Sequence, residues 1–328
     1  MPQASTDDML REMAVATLSH YDKENISQIK QHNALMRYME THGGITSDIS
    51  SGKDIAIPVT LRENSTITNF QNYDELNTGK DETSDMAYYF WSEKAGHISA
   101  SGRELLLNSG KEAIFSLIKT RARTFRESAY NRTAVEVYSN GTISKGLTGV
   151  LGMITQTGQG TVGKIDGNTN VNWRNQAMLA GANGSVTASN IKGFLNKARI
   201  DTDLAGDNAD LMVMTNDFYA ALQDAAQLNQ RFVSDRYGNK KATDMGFDNF
   251  DFNGAAVIHD VNSSFAANLG QCLIFNTQYF GLNEHPSAKW TETSMPTPAR
   301  QNAHYVRFIW MGAFWMSKRR PQGIVFTN

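Results

Sequence analysis

Residues 53–102 read KDIAIPVTLRENSTITNFQNYDELNTGKDETSDMAYYFWSEKAGHISASG, and the folding of this stretch decides the rest of the chain. Ile55, Ile57, Val59 and Leu61 alternate with Asp54, Ala56, Pro58, Thr60 and Arg62, the period of two that marks a strand with one buried face. Pro58 offers no backbone donor and places that strand at a sheet edge. A polar run, ENSTITNFQNYDELNTGKDETSD, follows. Met86, Tyr88, Phe90 and Ser92 then alternate with Ala87, Tyr89, Trp91 and Glu93, an aromatic-rich second strand. Two strands joined by about two dozen polar residues make a long hairpin, and an isolated two-stranded hairpin is only marginally stable in water. It needs a partner surface, in this chain or in another.

Downstream, residues 111–139 predict the longest helix, because Ile114, Ile118, Ala122, Phe125 and Ala129 step by three and four. At ~1.5 Å per residue, such a helix is a rod about 40 Å long. Its other side carries Lys111, Lys119, Arg121, Arg123, Arg126 and Arg132. That basic face reads either as a solvated surface or as a contact for acidic neighbours or a polyanion.

Upstream, residues 5–42 are patterned as helix. Asp7 and Asp8 suit a first turn, Met9, Met13, Leu18, Ile26, Ile29, Leu35 and Met39 recur at helical spacing, and Gly43 and Gly44 end it. The apolar stripe is thin, so this arm lies on a surface. Beyond residue 139, NGTISKGLTGVLGMITQTGQGTVGK predicts loops and short strands. An α/β stretch follows, with a helix through Ile191, Phe194, Leu195 and Ile200, a strand at 209–214 and a helix through Phe218 and Leu222. Strands are expected at Ala255–His259 and Cys272–Phe275, and HYVRFIWMGAFWMSKRRPQGIVFTN predicts a buried C-terminal strand pair around a basic turn at Lys318–Arg320. The fold class is α+β.

Composition narrows the chemistry. The 328 residues hold 31 Lys+Arg against 33 Asp+Glu, a net charge of -2 that argues against a dedicated nucleic-acid binder. Neither a bilayer-spanning apolar run nor a secretory leader is expected. The single Cys272 makes no internal disulfide and no thiolate metal site. Gly158–Lys164, GQGTVGK, satisfies both GxGxxG and GxxxxGK, but Ile165 stands where a phosphate loop needs Ser or Thr, and turn-rich IDGNTNVN stands where a helix must begin. A phosphate- or nucleotide-binding enzyme using Gly158–Lys164 is the rival from another class. Asp201, Asp203, Gly206 and Asp207 fall short of a calcium loop, since Met212 replaces the bidentate Glu. The seven histidines lack paired spacing and no serine sits in GxSxG. No catalytic residue, metal or cofactor is expected.

In order, these parts resemble the major capsid protein of tailed double-stranded DNA phages, the fold named after the lambdoid phage Hong Kong 97. GLTGVLGMI resembles that family's turn into its axial domain, ADLMVMTNDFYAALQDA its strand, cap and helix, and FWMSKRRPQGIVFTN its closing strand. The resemblance implies an N-terminal arm (1–52), an extended two-stranded E-loop (53–102) and a peripheral domain with its spine helix (103–149). An axial domain (150–255) and return strands completing both domains (256–328) would follow. It implies a structural subunit, not an enzyme, that builds hexamers and pentamers of an icosahedral head; the same architecture serves encapsulin shells, the alternative.

Further implied are a separate scaffolding protein or none, the arm being too short for a fused one. A portal, a decoration protein and non-specifically held double-stranded DNA are the other implied partners, with no membrane. The location implied is the virion, and the host cytoplasm during assembly. The E-loop would bury Tyr88, Tyr89, Phe90 and Trp91 on an adjacent subunit, and the arm with Met9 and Met13 would clasp another. Arg121, Arg123 and Arg126 would meet Asp81, Glu82 and Asp85 of another copy, or face DNA. Lys80 lies at the loop tip, but nothing marks an asparagine partner for cross-linking.

Overall fold

The computed structural model describes residues 33–49, 52–76, 78–107, 111–180, 186–204, 206–227, 250–260, 271–294 and 302–327. Met9, Met13 and the rest of the arm before residue 33 lie outside the described residues, as do the side chains of 111–119.

The arm is seen from α1 (Ala34–Thr41), which Asn33 caps by accepting a hydrogen bond from Met36 N at 2.9 Å. Leu35 and Met39 bury its inner face, and Gly43, at φ 74°, ends it. After β1 (Ile45–Thr46), strands β2 (Asp54–Thr60) and β3 (Ser84–Phe90) pair antiparallel, Asp54 opposite Phe90 and Thr60 opposite Ser84. The alternation is as the sequence predicts, with Ile55, Val59 and Leu61 inside.

The second strand does not run on to Glu93. The chain breaks at Trp91, and β4 (Ser92–Ser101) joins another sheet, where it pairs along β13 (Ala303–Met316). Ser92 is buried there and its hydroxyl donates to Lys145 O at 3.2 Å. Next come α2 (Gly102–Leu107) and the spine helix α3 (Lys111–Val137), two residues shorter than the sequence predicts. Phe125 of α3 lies over β4 so closely that a Cβ on Gly96 would sit 2.3 Å from its ring, which only glycine allows.

β1, β4, β12 (Phe280–Ser294) and β13 form a four-stranded sheet in the order β1-β12-β13-β4. Between spine and second sheet lie α4 (Val150–Met153) and the short hairpin β5 (Thr161–Val162) and β6 (Ile165–Asp166). The second sheet has six strands among the described residues. They are β7 (Gln176–Leu179), β8 (Leu211–Met214), β9 (Phe250–Phe252), β10 (Ala255–His259), β11 (Gln271–Phe275) and β14 (Gly323–Phe326), in the order β7-β14-β11-β8-β10-β9.

Both faces of the six-stranded sheet are covered, which explains the unbroken apolar runs LMVM and QCLIF. Leu211, Val213, Leu273, Phe275 and Ile324 point into a core shared with α1, β12 and β13. Met212, Met214, Cys272, Ile274 and Val325 point to the other side, onto α5 (Ile191–Thr202) and α6 (Asn216–Gln227). The helix α5 buries Ile191, Leu195, Ala198 and Thr202, but Ile200, expected on that face, is 72% exposed. It lies nine residues after Ile191, about two and a half turns, and so on the opposite side.

The expected C-terminal strand pair is corrected outright: β13 and β14 belong to different sheets. β14 is paired on one edge with β11 and on the other with β7, which leaves no edge for β13. The connection between them carries Arg319, which the sequence places in a basic turn and which has 0% of its surface accessible. Its Nε donates to Met153 O (2.9 Å), Nη1 to Gly160 O and Trp173 O (3.3 and 3.1 Å), and Nη2 to Thr155 Oγ1, Gln159 O and Asn175 Oδ1 (3.1, 2.9 and 2.9 Å). No helix among the described residues is long and apolar enough to cross a membrane.

Candidate assembly interface

At the base of the long hairpin, period-two geometry splits the aromatic run. Tyr89 and Ala87 face inward, and the Tyr89 hydroxyl donates to Met316 O at 2.6 Å, so this tyrosine is buried within its own chain. Burial also pushes its phenol well above the ordinary value. Trp91 is half-buried, edge-on to His285 at 6.0 Å. Tyr88 is half-buried and Phe90 is 61% exposed, and these two share the outer face.

The acids divide as well. Asp81 accepts from Ser65 N at 2.5 Å and staples the loop to itself, Glu82 pairs with Lys80 at 2.8 Å, and Asp85 is exposed. On the spine, Arg121 is used at home. It donates to Ser99 O at 2.7 Å and grips both oxygens of Glu104 at 3.1 Å. That grip is the main reason the buried Glu104 carboxyl is held below its ordinary pKa. Arg123 and Arg126 lie on the exposed face, Arg123 with Glu127 at 3.4 Å.

The glycine-rich segment that imitates a phosphate loop does not open a helix. β5 and β6 turn back on each other through Gly163 and Lys164, and the carbonyls of Gln159 and Gly160 point at Arg319. A phosphate cradle presents N–H groups, not carbonyls. Lys164 reaches Asp54 of β2 at 3.4 Å. No cluster of three metal-ligating side chains occurs among the described residues.

With this geometry fixed, the fold can be compared. No protein-family model matches the sequence, and no curated protein matches it either. Solved structures do match along nearly the whole length. A chain of the capsid asymmetric unit of cyanophage A-1(L) aligns with a TM-score of 0.61 at 12% identity, covering 93% of this chain and 95% of that one. A chain from Mycobacterium phage Bobi gives 0.57 at 13%, covering 100% and 99%. The capsid structure of cyanophage P-SCSP1u gives 0.57 at 11%, covering 95% and 94%. This chain has the phage capsid fold.

Within the capsid fold, the tip of the β2–β3 hairpin holds what the sequence reading missed. Every described residue from 62 to 76 is exposed apart from half-buried Thr66. Ile67 (81% exposed), Phe70 (65%), Tyr73 (100%) and Leu76 (59%) are set three residues apart along it. Grouped apolar side chains left in water mark a contact surface. The signal was present as 67-70-73-76 spacing, hidden in a stretch whose overall polarity reads as plain loop. Between Glu63 and Thr83 the tip also carries five carboxylates against one lysine, a net charge of -4.

Proposed function

We propose that this chain is the structural major capsid protein of a tailed double-stranded DNA phage, assembling into hexamers and pentamers of an icosahedral head. The observation that carries the reading is the exposed hairpin tip, an apolar and acidic arm on a capsid fold. Heterologous contacts that close by symmetry build such capsomers, and many modest contacts acting together hold the shell. The tip seats on an adjacent copy through Ile67, Phe70, Tyr73 and Leu76. Its charge, which includes Glu82 and is extended by Asp85, complements Arg123 and Arg126 on the neighbour's spine; Arg121 stays with Glu104. The arm with Met9 and Met13 clasps a further copy.

The protein is not an enzyme on this reading. Its site is the virion, after assembly in the host cytoplasm with a scaffolding protein, a portal and a decoration protein, around non-specifically held DNA. Negative-stain microscopy with light scattering on the expressed chain tests it, with closed shells tens of nanometres across expected. Phe70→Asp with Tyr73→Asp keeps subunit stability within about 0.5 kcal/mol, as for other exposed sites, yet abolishes the shells. Trimers or fibres in place of closed shells overturn the proposal. Shells that form only around a protein cargo and exclude DNA favour the encapsulin alternative.

A further inference from the structure

The turn of the β5–β6 hairpin lies flush against the base of the long β2–β3 hairpin. Tyr88 N donates to Gly163 O at 2.9 Å, and a Cβ on Gly163 would come within 3.1 Å of Ala87 Cβ. Gly163 and Lys164 are both left-handed, at φ 62° and 67°. Glycine adopts that conformation freely, whereas a lysine there costs about 1 kcal/mol. The lysine side chain is not idle. Its Nζ is 3.4 Å from Asp54 Oδ2, 4.5 Å from the Tyr88 ring centre and 4.9 Å from that of Phe90.

Asp54 and Phe90 are register partners on opposite strands, so one ammonium ties both strands at their base. The turn is itself rooted in the core. Trp173 Nε1 donates to Val162 O at 3.0 Å, and Arg319 Nη1 to Gly160 O at 3.3 Å. On the opposite face of β3, Tyr89 anchors to Met316 O. The base is thus gripped on both faces.

We infer that Lys164 is a positioning residue that sets the angle at which the β2–β3 hairpin leaves the body, and with it the surface its tip can reach. The consequence for assembly rests on the proposed role of the tip. About 23 Å along the strand, seven residues at ~3.3 Å each, lies a second fixed point, where the carbonyl of buried Leu61 accepts from Asn172 Nδ2 at 2.9 Å. With both points held, the strand pair keeps one direction; with the Lys164 clamp released, a turn of about 10° about Leu61 shifts the other end by roughly 4 Å, as much as a whole van der Waals contact, and redirects the tip beyond Leu61. The ammonium contributes through an ion pair and two aromatic faces, contacts that weaken when it is removed and, for the ion pair, when salt is raised.

The test is a distance measurement on the unassembled full-length chain. Spin labels at Thr78→Cys on the tip and Lys197→Cys on α5 report the hairpin angle by pulsed electron resonance; Cys272 is fully buried and stays unlabelled. Lys164→Gly removes the side chain and relaxes the turn, so the thermal midpoint holds while the distance distribution widens at least about twofold. Lys164→Arg restores the narrow distribution. An unchanged width in the glycine variant, or an arginine variant as broad as glycine, overturns the inference. If the width responds but the wild-type chain builds no closed shell, the clamp stands and its consequence for assembly falls.

Discussion

Arg319 shows how much one side chain organises. Its five N–H donors meet six oxygens drawn from residues 153 to 175, and none of the six belongs to a carboxylate, so backbone and amide dipoles hold the charge. Burial pushes the guanidinium down to about 10. Gly160 O, Gln159 O and Asn175 Oδ1 keep donors in Gly167 N, Thr155 Oγ1 and Thr155 N, but Arg319→Met removes six hydrogen bonds from one buried cluster and lowers stability by about 3–5 kcal/mol, read as a fall in thermal midpoint by calorimetry. Lysine does not rescue it, since a point charge with three donors cannot fill a planar fork. An Arg319→Met subunit that melts with the wild type would refute this. Nothing in SKRRPQG separates Arg319 from its exposed neighbour Arg320, because the oxygens that choose between them lie some 150 residues earlier in the chain.

Among the elements, the spine helix was legible where its signal is local. The spacing of Ala122, Phe125 and Ala129 gave the face that packs on β4, and Phe125 stacks on Phe308 at 4.6 Å. What its arginines do was not legible, because helix periodicity says nothing about a partner 17 residues away, and Arg121 takes Glu104 of α2 instead of a second copy. That pair sets a pH response. The folded-state pKa of Glu104 is depressed, so its stabilisation is fully present above the ordinary carboxylate value of 4.5 and is lost as pH falls through the lower folded value. Urea titrations should show wild type more stable than Glu104→Gln at neutral pH, with the gap closing in acid below pH 4.5. A gap that stays constant with pH would sink this account. At the same junction Gly96→Ala drives a methyl into the Phe125 ring and costs about 1–3 kcal/mol, measurable in the same titrations.

For the molecule as a whole, the order of parts could be read from sequence, but strand partnership could not. Apolar runs such as LMVM declare burial on both faces without saying which strands flank them, so nearness in sequence alone pairs β14 with β13. The two sheets meet through one core in which Phe280 packs between Phe275 at 5.2 Å and Phe314 at 5.4 Å. The unassembled subunit should therefore melt in one calorimetric transition, shifted as a unit by Phe280→Ala at a cost of about 3–5 kcal/mol. Two separate transitions would contradict a shared core. The place of β14 also bears on synthesis. Of the six strands in its sheet it is translated last, yet it sits inside, between β7 and β11. Until residue 326 clears the ribosome, both of those strands present open edges. A nascent chain therefore cannot close this sheet, or the core beneath it, strand by strand as it emerges; closure waits for the β14 segment and then happens at once.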